Sequence, residues 1–459
     1  WIWSSWEINF RTVCKQACTD RTKYKALNIG RDYVLKNLPY PLGINVKRED
    51  KLKNKILVSG NDACGLGAVY GGATFCSWYP ITPSTSVAEG FEKYASKYRV
   101  DPQTGKNNYI SVQAEDELAA VGMAIGANWN GARGFTATSG PGISLMSEFL
   151  GLAYFAEVPL VIFNIQRGGP STGMPTRTQQ SDILSCAYAS HGDTKHVLLF
   201  PEDPQECFEF SAEAFNLAER LQTPVFVISD LDIGMNDWVT DKFEWDDEQK
   251  YDRGKVLKAE DLDKMDNFGR YLDVDDDGIC YRTYPGTHPE KGAFFTRGTS
   301  HDEYARYTEN GDINEQTLTR LVKKFRTASE LVPDPIINLS EKQGSSGVIF
   351  YGSTSAAMYE AKDILNENNI EVDLMRIRSF PFNLDVWEFI ENHDLIYVIE
   401  QNRDSQMRTL IMAEGGISAE KLRSLVWFNG DPIQAKFIAK KIYERESQQA
   451  LITWVTLNQ

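Results

Sequence analysis

Between Lys55 and Asp230, short runs of β-branched and aromatic residues alternate with longer amphipathic segments. Runs such as YISVQA, GFTATS and PLVIFNIQ are each followed by a stretch with helical periodicity or by a glycine-rich turn. This alternation is typical of βα units, which build a mostly parallel sheet flanked by helices and joined by right-handed crossovers. The sequence therefore predicts an α/β fold with a doubly wound parallel sheet.

The same alternation divides the chain into regions. Residues 1–54 are polar and irregular apart from an amphipathic run in YKALNIGRDYVLKNL, and we interpret them as the tail of an upstream module and a linker. Residues 55–335 are predicted to form the first α/β domain, in which 231–335 are an irregular insertion, too long for an ordinary loop, that packs over a site. A second, smaller α/β domain is expected at 345–447, followed by a tail at 448–459.

Composition and charge restrict the class of protein. A chain of 459 residues with 64 acidic and 48 basic side chains, net −16, is a poor ligand for nucleic acid or anionic membranes. It has no apolar run of roughly 20 residues and no signal peptide, so we expect a cytoplasmic protein. Because it begins with Trp, we expect a fragment of a longer protein. The seven cysteines, including Cys14 and Cys18, lack the C-x2-C spacing of metal sites, so we expect reduced thiols.

Four polar or glycine-rich clusters directly follow predicted strands. The carboxyl ends of parallel strands meet at one edge of a sheet, where loops and helix amino-termini bind ligands. We therefore expect the four clusters to open onto one rim. They are Ile81 to Thr85, Glu115 to Glu117, Gly140 to Gly142 and Arg167 to Gly173.

The first cluster lies in the stretch YPITPSTS, which carries four hydroxyl groups in front of a predicted helix. Ser84 or Thr85 can cap that helix, with Pro83 fixing the turn, and this interpretation gives both residues a purely structural role. Capping does not account for Thr82.

The second cluster places three carboxylates at the start of the segment ELAAVGMAIGA. The helix dipole alone favours acidic residues there, which accounts for Glu115 and Asp116 without a function. Glu117 differs because it begins a run of small residues that should form a tightly packed, buried helix. A desolvated carboxylate in that position is usually either paired or functional.

The other two clusters contain glycine. The stretch TSGPGIS lacks the third glycine of a dinucleotide loop, the lysine of a P-loop and the G-x-S-x-G pattern of hydrolases. As a turn that leads into a helix it can still hold a polar ligand group. Arg167 begins the stretch RGGPSTG, where its guanidinium can bind a carboxylate. The alternative is a surface arginine in a flexible loop.

An acidic stretch, DVDDDGIC, lies within the predicted insertion. Asp273, Asp275, Asp277 and Gly278 match the first half of an EF-hand loop, in which alternate carboxylates converge on calcium. Position twelve is Tyr284 instead of the bidentate glutamate. We therefore weigh a loop stabilised by a divalent ion, held by the three aspartates, against a solvated acidic turn.

The clusters together resemble the α-subunit of the 2-oxoacid:ferredoxin oxidoreductases, which use thiamine diphosphate. The resemblance lies in YPITPSTS, EDELAAVGMAIGA and the long stretch from TSGPGIS to TRTQQSD, and the later RGTSHDEYARYTENG and MRIRSFPF continue it, so that it covers about residues 55–440. It implies a pyrimidine-type thiamine-diphosphate-binding first domain and a second domain like the C-terminal domain of transketolase. It also implies that residues 1–54 end a γ-domain fused ahead of the α-part, with most of that domain missing.

The resemblance assigns roles to the candidate residues. Glu117, or its rival Glu115, would bond the aminopyrimidine ring of the cofactor and promote loss of its C2 proton, while Thr82 and Arg167 would bind the substrate. The implied cofactor contacts are Pro83, Ser84, Thr85, Ser139, Gly140 and Pro141. The implied substrate contacts are Thr82, Arg167, Ser171, Thr172 and Arg177. The form GPSTGMPTRTQQSD favours 2-oxoglutarate, whose distal carboxylate Arg177 can meet, over pyruvate or branched-chain oxoacids.

The implied reaction is the oxidative decarboxylation of a 2-oxoacid to acyl-CoA and CO2, with electrons passed to ferredoxin, as in anaerobic metabolism. The chain has neither a GDG motif followed by Asn nor a cluster-type cysteine set. The resemblance therefore places Mg²⁺ and a [4Fe-4S] cluster on a separate β-subunit, which shares the thiamine diphosphate with this chain in an αβ or (αβ)2 assembly. The chain would be inactive alone. The other function class is a non-catalytic assembly or regulatory relative.

Overall fold

The computed structural model describes residues 21–38, 47, 49–340 and 346–457. Residues 1–53 and 54–459 form two separate compact units. In the first unit, helix α1, Arg21–Asn37, occupies the amphipathic run noted in the sequence. The Cys14 and Cys18 pair, and most of the stretch interpreted as the tail of an upstream module, lie outside the described residues.

The second unit contains the α/β structure. Its strands are β1 Lys55–Ser59, β2 Phe75–Trp78, β3 Ile110–Gln113, β4 Gly134–Thr138, β5 Leu160–Gln166, β6 Val197–Leu199, β7 Pro224–Asp230, β8 Asp237–Asp241, β9 Ile336–Asn338, β10 Ser346–Phe350, β11 Asp373–Arg376, β12 Ser379–Phe380, β13 Leu395–Glu400 and β14 Leu422–Val426. Its helices are α2 Gly60–Tyr70, α3 Thr85–Tyr98, α4 Glu117–Trp129, α5 Gly140–Phe155, α6 Ile183–Ala187, α7 Pro204–Leu221, α8 Leu231–Met235, α9 Ala259–Asp263, α10 Gly311–Ser329, α11 Thr354–Glu367, α12 Leu384–Glu391, α13 Gln406–Gly415 and α14 Ala435–Leu457.

The larger sheet has the strand order β12–β6–β7–β5–β4–β2–β3. Strand β12 pairs antiparallel with β6, and the other neighbours pair in parallel. Every residue of β5 and β7 is buried, as expected for central parallel strands covered by helices on both faces. The apolar runs of these two strands were the clearest indication of buried strands in the sequence. The predicted α/β fold with a parallel sheet is confirmed.

The first predicted strand does not belong to that sheet. β1 pairs antiparallel with β8, from Lys55 opposite Asp241 to Ser59 opposite Asp237, in a separate two-stranded sheet. The side chains of Lys55 and Leu57 are exposed, whereas Val58 is buried. Alternation of this kind suits a two-stranded ribbon with one solvated face rather than a strand buried on both faces. Counting the run that begins at Lys55 among the strands of the parallel sheet was therefore wrong.

The smaller sheet has the order β14–β13–β10–β11–β9, with β9 antiparallel to β11. Its edge strand β9 precedes residue 345, where the second domain was expected to begin, and the stretch 341–345 lies outside the described residues. Conversely, β12 lies within the expected second domain but pairs with β6 of the larger sheet. The boundary expected at residue 345 therefore does not separate the two sheets, because each sheet contains a strand from the other side of that boundary.

The insertion at 231–335 is more ordered than its composition indicated. Helix α10 spans 19 residues, and its N-cap is Asn310, whose Oδ1 accepts hydrogen bonds from the backbone amides of Asp312 and Ile313. Leu321 and Phe325, four residues apart, are buried in the main core. This helical spacing was overlooked in the sequence.

Helix α14 also extends beyond expectation, through the stretch 448–457 that was expected to be a tail. Neither Gly nor Pro occurs between Ala435 and Leu457, so nothing in the sequence breaks the helix earlier. In the part of the chain that the structure covers, no helix is long and apolar enough to cross a bilayer.

A buried ion cluster fixes α10 to the loop before β5. Glu157 is 1% exposed, and its carboxylate accepts hydrogen bonds from Lys324 Nζ at 2.9 Å and Arg320 Nη1 at 3.2 Å. Burial raises the pKa of Glu157, but the positive charges of Arg320 and Lys324 outweigh it and hold that pKa well below its usual range. Removing one partner of such a buried pair typically costs about 3–5 kcal/mol.

A second buried pair joins the smaller sheet to helix α7. Arg376 at the end of β11 binds the Glu206 carboxylate of α7 through both Nη atoms, at 2.6 and 2.8 Å. Arg378 adds a third hydrogen bond to the same carboxylate at 2.9 Å. A bidentate arginine fixes orientation as well as distance. The smaller sheet is therefore held in a defined orientation against α7.

Candidate active site

A cleft of about 520 Å³ opens where the carboxyl ends of β4 and β5 face the loops that follow β13 and β14. This is the edge at which ligands bind in parallel sheets. Of the residues singled out in the sequence, the cleft brings together Gly140, Pro141, Arg167 and Ser171. The loops of the second sheet that complete it were not expected.

Two hydroxyl groups of YPITPSTS form hydrogen bonds within their own turn. Ser84 Oγ donates to the backbone oxygen of Ile81 at 3.1 Å, and Thr85 Oγ1 accepts from the Ile81 amide at 3.0 Å. Ser84 occupies the N-cap position of α3, but its side chain makes no capping bond, and Thr85 is already the first helical residue. The expected capping role was therefore wrong, because both hydroxyls turn back to Ile81. The Thr82 side chain is exposed.

Arg167 lies in the wall of the cleft rather than on a flexible surface loop, since it is only 7% exposed. Its Nη1 donates to the carbonyl oxygen of Thr82 at 2.6 Å, and its Nη2 donates to the carbonyl oxygen of Thr172 at 3.1 Å. Its Nε has no hydrogen-bond partner among the described residues. One guanidinium thus joins the turn before α3 to the glycine-rich loop after β5.

The structure separates the three carboxylates of the second cluster. Glu115 is exposed, and Asp116 caps α4 by accepting a hydrogen bond from the Ala119 amide at 2.6 Å. Glu117, the first residue of α4, is 5% exposed, and its carboxylate forms neither a hydrogen bond nor an ion pair within the described chain. A Cβ placed on Gly142 would lie 2.9 Å from Glu117 Cγ, so this side chain packs against the first turn of α5.

Several expected contacts lie around the cleft rather than in its lining. Ser139, at the N-cap of α5, has a buried Oγ without a hydrogen-bond partner in the described residues. Pro83 is buried and its carbonyl oxygen accepts from Asn61 Nδ2 at 2.8 Å. Arg177 is exposed and lies 3.9 Å from Asp431, and Thr172 meets Arg167 through its backbone.

The acidic loop does not form a metal site in this structure. The Asp273 carboxylate accepts hydrogen bonds from the amides of Asp277 and Gly278, at 3.2 and 3.0 Å. Lys255 Nζ pairs with Asp275 at 2.7 Å and with Asp277 at 2.9 Å. Across the described residues, no three His, Cys, Asp or Glu side chains are placed to hold one ion. The carboxylates face lysine and backbone amides instead of a common point.

Two groups of cleft residues were missed. Asn402, Arg403 and Gln406 follow β13, and the rule that ligands meet the carboxyl ends of strands would have found them had it been applied to the second sheet. Asp182, partly buried just before α6, also lines the cleft. Removal from water raises the pKa of Asp182 to about 6, although a hydrogen bond from Asn164 opposes the rise.

Comparison with family models matches residues 66–326 to pyruvate flavodoxin/ferredoxin oxidoreductase, thiamine diP-binding. The chain is 35% identical to the α-subunit of 2-oxoacid:ferredoxin oxidoreductase 1 of Sulfurisphaera tokodaii, over 84% of this chain and 61% of that one. It is also 35% identical to the 2-oxoglutarate synthase subunit KorA of Methanothermobacter thermautotrophicus, over 76% of this chain and 89% of that one.

Among solved structures, the chain is similar to 2-oxoglutarate:ferredoxin oxidoreductase from Magnetococcus marinus with 2-oxoglutarate, coenzyme A and succinyl-CoA bound. The TM-score is 0.80 at 29% identity, covering 92% of this chain and 70% of that chain. Our chain spans about three fifths of the length of the archaeal α-subunits, 61% of the Sulfurisphaera protein and 60% of one from Sulfolobus. The matches confirm the thiamine-diphosphate-binding fold that the motifs implied. The chain belongs to the 2-oxoacid:ferredoxin oxidoreductase family.

Proposed function

We propose that the chain is the α-subunit of a 2-oxoacid:ferredoxin oxidoreductase, which converts a 2-oxoacid to acyl-CoA and CO2 and passes the electrons to ferredoxin. The observation that carries this proposal is Glu117, which is only 5% exposed within the matched domain and whose carboxylate has no hydrogen-bond or ion-pair partner among the described residues. Burying an unpaired carboxylate is costly, so such groups usually serve a ligand or a reaction.

The chain's own residues fit the aminopyrimidine half of thiamine diphosphate. When bound, this cofactor supplies the electron sink that decarboxylation of a 2-oxoacid requires. Glu117 would hydrogen-bond the pyrimidine ring, and Ser139 Oγ, which has no partner among the described residues, would offer a second polar contact. Gly142 is essential to this arrangement, because a Cβ there would lie 1.9 Å from Thr138 Oγ1 and press on Glu117. Burial favours Glu117 over the exposed Glu115 for this role.

Arg167 and Thr82 are proposed to bind the 2-oxoacid. The Arg167 guanidinium places a fixed positive charge in the cleft wall, where it would attract the substrate carboxylate. The exposed Thr82 side chain lies on the turn that Arg167 holds, so its hydroxyl would meet the carboxylate or keto oxygen. Holding the substrate at both points orients its keto carbon for reaction. Ser171, which also lines the cleft, would add a contact.

We propose 2-oxoglutarate as the substrate, with pyruvate or a branched-chain oxoacid as the alternative. The support is that the KorA relative is named a 2-oxoglutarate synthase subunit and that the Magnetococcus structure holds 2-oxoglutarate. In this chain Arg177 lies in the loop that Arg167 fastens, and would meet the distal carboxylate.

The proposed active enzyme includes a β-subunit that supplies Mg²⁺, the diphosphate contacts and a [4Fe-4S] cluster, in an αβ or (αβ)2 assembly, with coenzyme A as co-substrate. The naming of the relatives as subunits supports a multi-subunit complex. At the level of sequence, the chain has no GDG motif and no C-x2-C pair to take these roles itself.

The test is purification of the protein from its native source with its partners, followed by a panel of 2-oxoglutarate, pyruvate and a branched-chain oxoacid with methyl viologen as acceptor. We expect a β-subunit to co-purify and viologen to be reduced most efficiently with 2-oxoglutarate and coenzyme A. Turnover by the isolated chain would disprove the shared site. A complex that oxidises none of the oxoacids would instead favour the non-catalytic relative.

A further inference from the structure

Asp182 is a carboxylate of the cleft to which the proposed reaction assigns no role. It follows the loop that begins at Arg167, and the Asn164 side chain of β5 donates a 3.2 Å hydrogen bond to its Oδ2. Both Asp182 oxygens would lie within 2.9 Å of a Cβ placed on Gly140, so the carboxylate is pressed against the first residue of α5. Asp182 lines the cleft together with Arg167 and Ser171.

The surroundings allow the charge of Asp182 to change near neutral pH. Burial raises its pKa to about 6, partly offset by the hydrogen bond from Asn164 and by the positive charge of Arg167. The neighbouring Cys186 stays a neutral thiol, because burial raises its pKa well above the usual value. Across the cleft, Arg403 and Asp404 form an exposed ion pair with each other at 2.7 Å.

We propose that Asp182 is a specificity-determining residue that admits the anionic 2-oxoacid when it is protonated and opposes it when ionised. The inference rests on the proposed function, in which Arg167 receives the substrate carboxylate. An ionised Asp182 offsets the charge of Arg167 and repels an entering carboxylate, whereas protonated Asp182 leaves Arg167 unopposed. A dicarboxylate is repelled more than a monocarboxylate, so the choice between them depends on this one proton.

Glutarate is a suitable probe because it carries the two carboxylates of 2-oxoglutarate but has no keto group to react. Its binding to the complex purified with its native partners is measured by calorimetry between pH 6 and pH 8, beside the uncharged dimethyl glutarate. We expect glutarate to bind the native complex about fivefold more weakly at pH 8 than at pH 6, and the ester to bind equally at both. In Asp182→Asn, glutarate should bind tightly at both values.

The matched control is Asp232→Asn. The pKa of Asp232 is also raised to about 6, chiefly by burial and then by Asp230, but Asp232 does not line the cleft. Its variant should keep the pH dependence of the native complex. An Asp182→Asn complex that retains the native pH dependence would overturn the proposal.

If Asp182→Asn does not fold, the comparison of glutarate with its ester in the native complex still tests the proposal. Equal pH responses of the two probes reject the inference, and this leaves the proposed function intact if the complex still oxidises a 2-oxoacid. If no oxoacid is oxidised, the proposed function fails. Glutarate binding that depends on pH and loses this dependence in Asp182→Asn would still support Asp182 as the group that controls anion entry.

Discussion

The guanidinium of Arg167 donates a 2.6 Å hydrogen bond to the backbone carbonyl oxygen of Thr82. A second hydrogen bond, to the carbonyl oxygen of Thr172, fastens the loop after β5 to the same side chain. Arg167 therefore serves two purposes in the proposed enzyme, as a clamp on two loops and as the positive charge for the substrate. A lysine retains the charge but lacks the planar fork that reaches both carbonyls.

Replacing Arg167 should impair use of the 2-oxoacid more than folding of the chain. We expect Arg167→Ala to lower kcat/KM for the 2-oxoacid by about 10- to 100-fold, the usual effect of losing a hydrogen bond to a charged group. Arg167→Lys should recover part of the loss by restoring the charge. Steady-state kinetics of the assembled complex measures both. Native kcat/KM in the alanine variant would mean that another residue binds the carboxylate.

Glu117→Gln should abolish turnover while the complex still assembles. The variant keeps the shape of the side chain but removes its charge, and loss of a positioned acid–base group costs about 100-fold or more in rate. Glu115→Gln is the matched control, since Glu115 is exposed two residues earlier. Turnover and co-purification of the β-subunit are compared for both variants. Loss of turnover in the Glu115 variant alone would reverse the assignment.

Arg177→Ala should discriminate between substrates. Because Arg177 is exposed, with 59% of its side chain accessible, the change in unfolding free energy should stay within about 0.5 kcal/mol. If Arg177 meets the distal carboxylate, KM should rise several-fold for 2-oxoglutarate and remain unchanged for pyruvate. Parallel titrations of the two oxoacids provide the comparison. An equal effect on both would remove Arg177 from the substrate site.

Glu157→Gln should destabilise the fold at neutral pH, by about 3–5 kcal/mol for a broken buried pair. The effect depends on pH because the native pKa of Glu157 lies below its ordinary value of 4.5. Its contribution is complete above pH 4.5 and is lost as the pH falls toward the lowered native pKa. Thermal melts should therefore converge for native and variant chains in acid. Exposed Glu148→Gln is the control, and a similar loss there would exclude a specific role for the Glu157 cluster.

The sequence was most informative where strands are buried on both faces. PLVIFNIQ and PVFVISD are long apolar runs, and both became central strands. β9 and β12 have three and two residues, too short to show a period, and they owe their place to tertiary pairing. Helix α10 was missed for a different reason, since the aspartate- and glycine-rich stretch before it obscured its regular spacing.

Within the site, the rule that ligands bind at the carboxyl ends of parallel strands predicted Gly140 and Arg167 from the sequence. The choice between Glu115 and Glu117 depended on where α4 begins, and helix starts cannot be placed to one residue from sequence. The environment of Asp182 is created by Asn164 and Gly140, which approach it only in the folded chain. No local sequence pattern predicts that these residues lie close to Asp182.

The crossing of β12 into the larger sheet limits how the chain can be divided by protease or by gene truncation. A fragment that ends near residue 345 would keep all the central strands but lose β12 and the Arg376 partner of Glu206. Its β6 would then present unpaired backbone N–H and C=O groups along an open edge, which invites association with other chains. Such a fragment would contain the residues proposed for catalysis and would still be prone to aggregate.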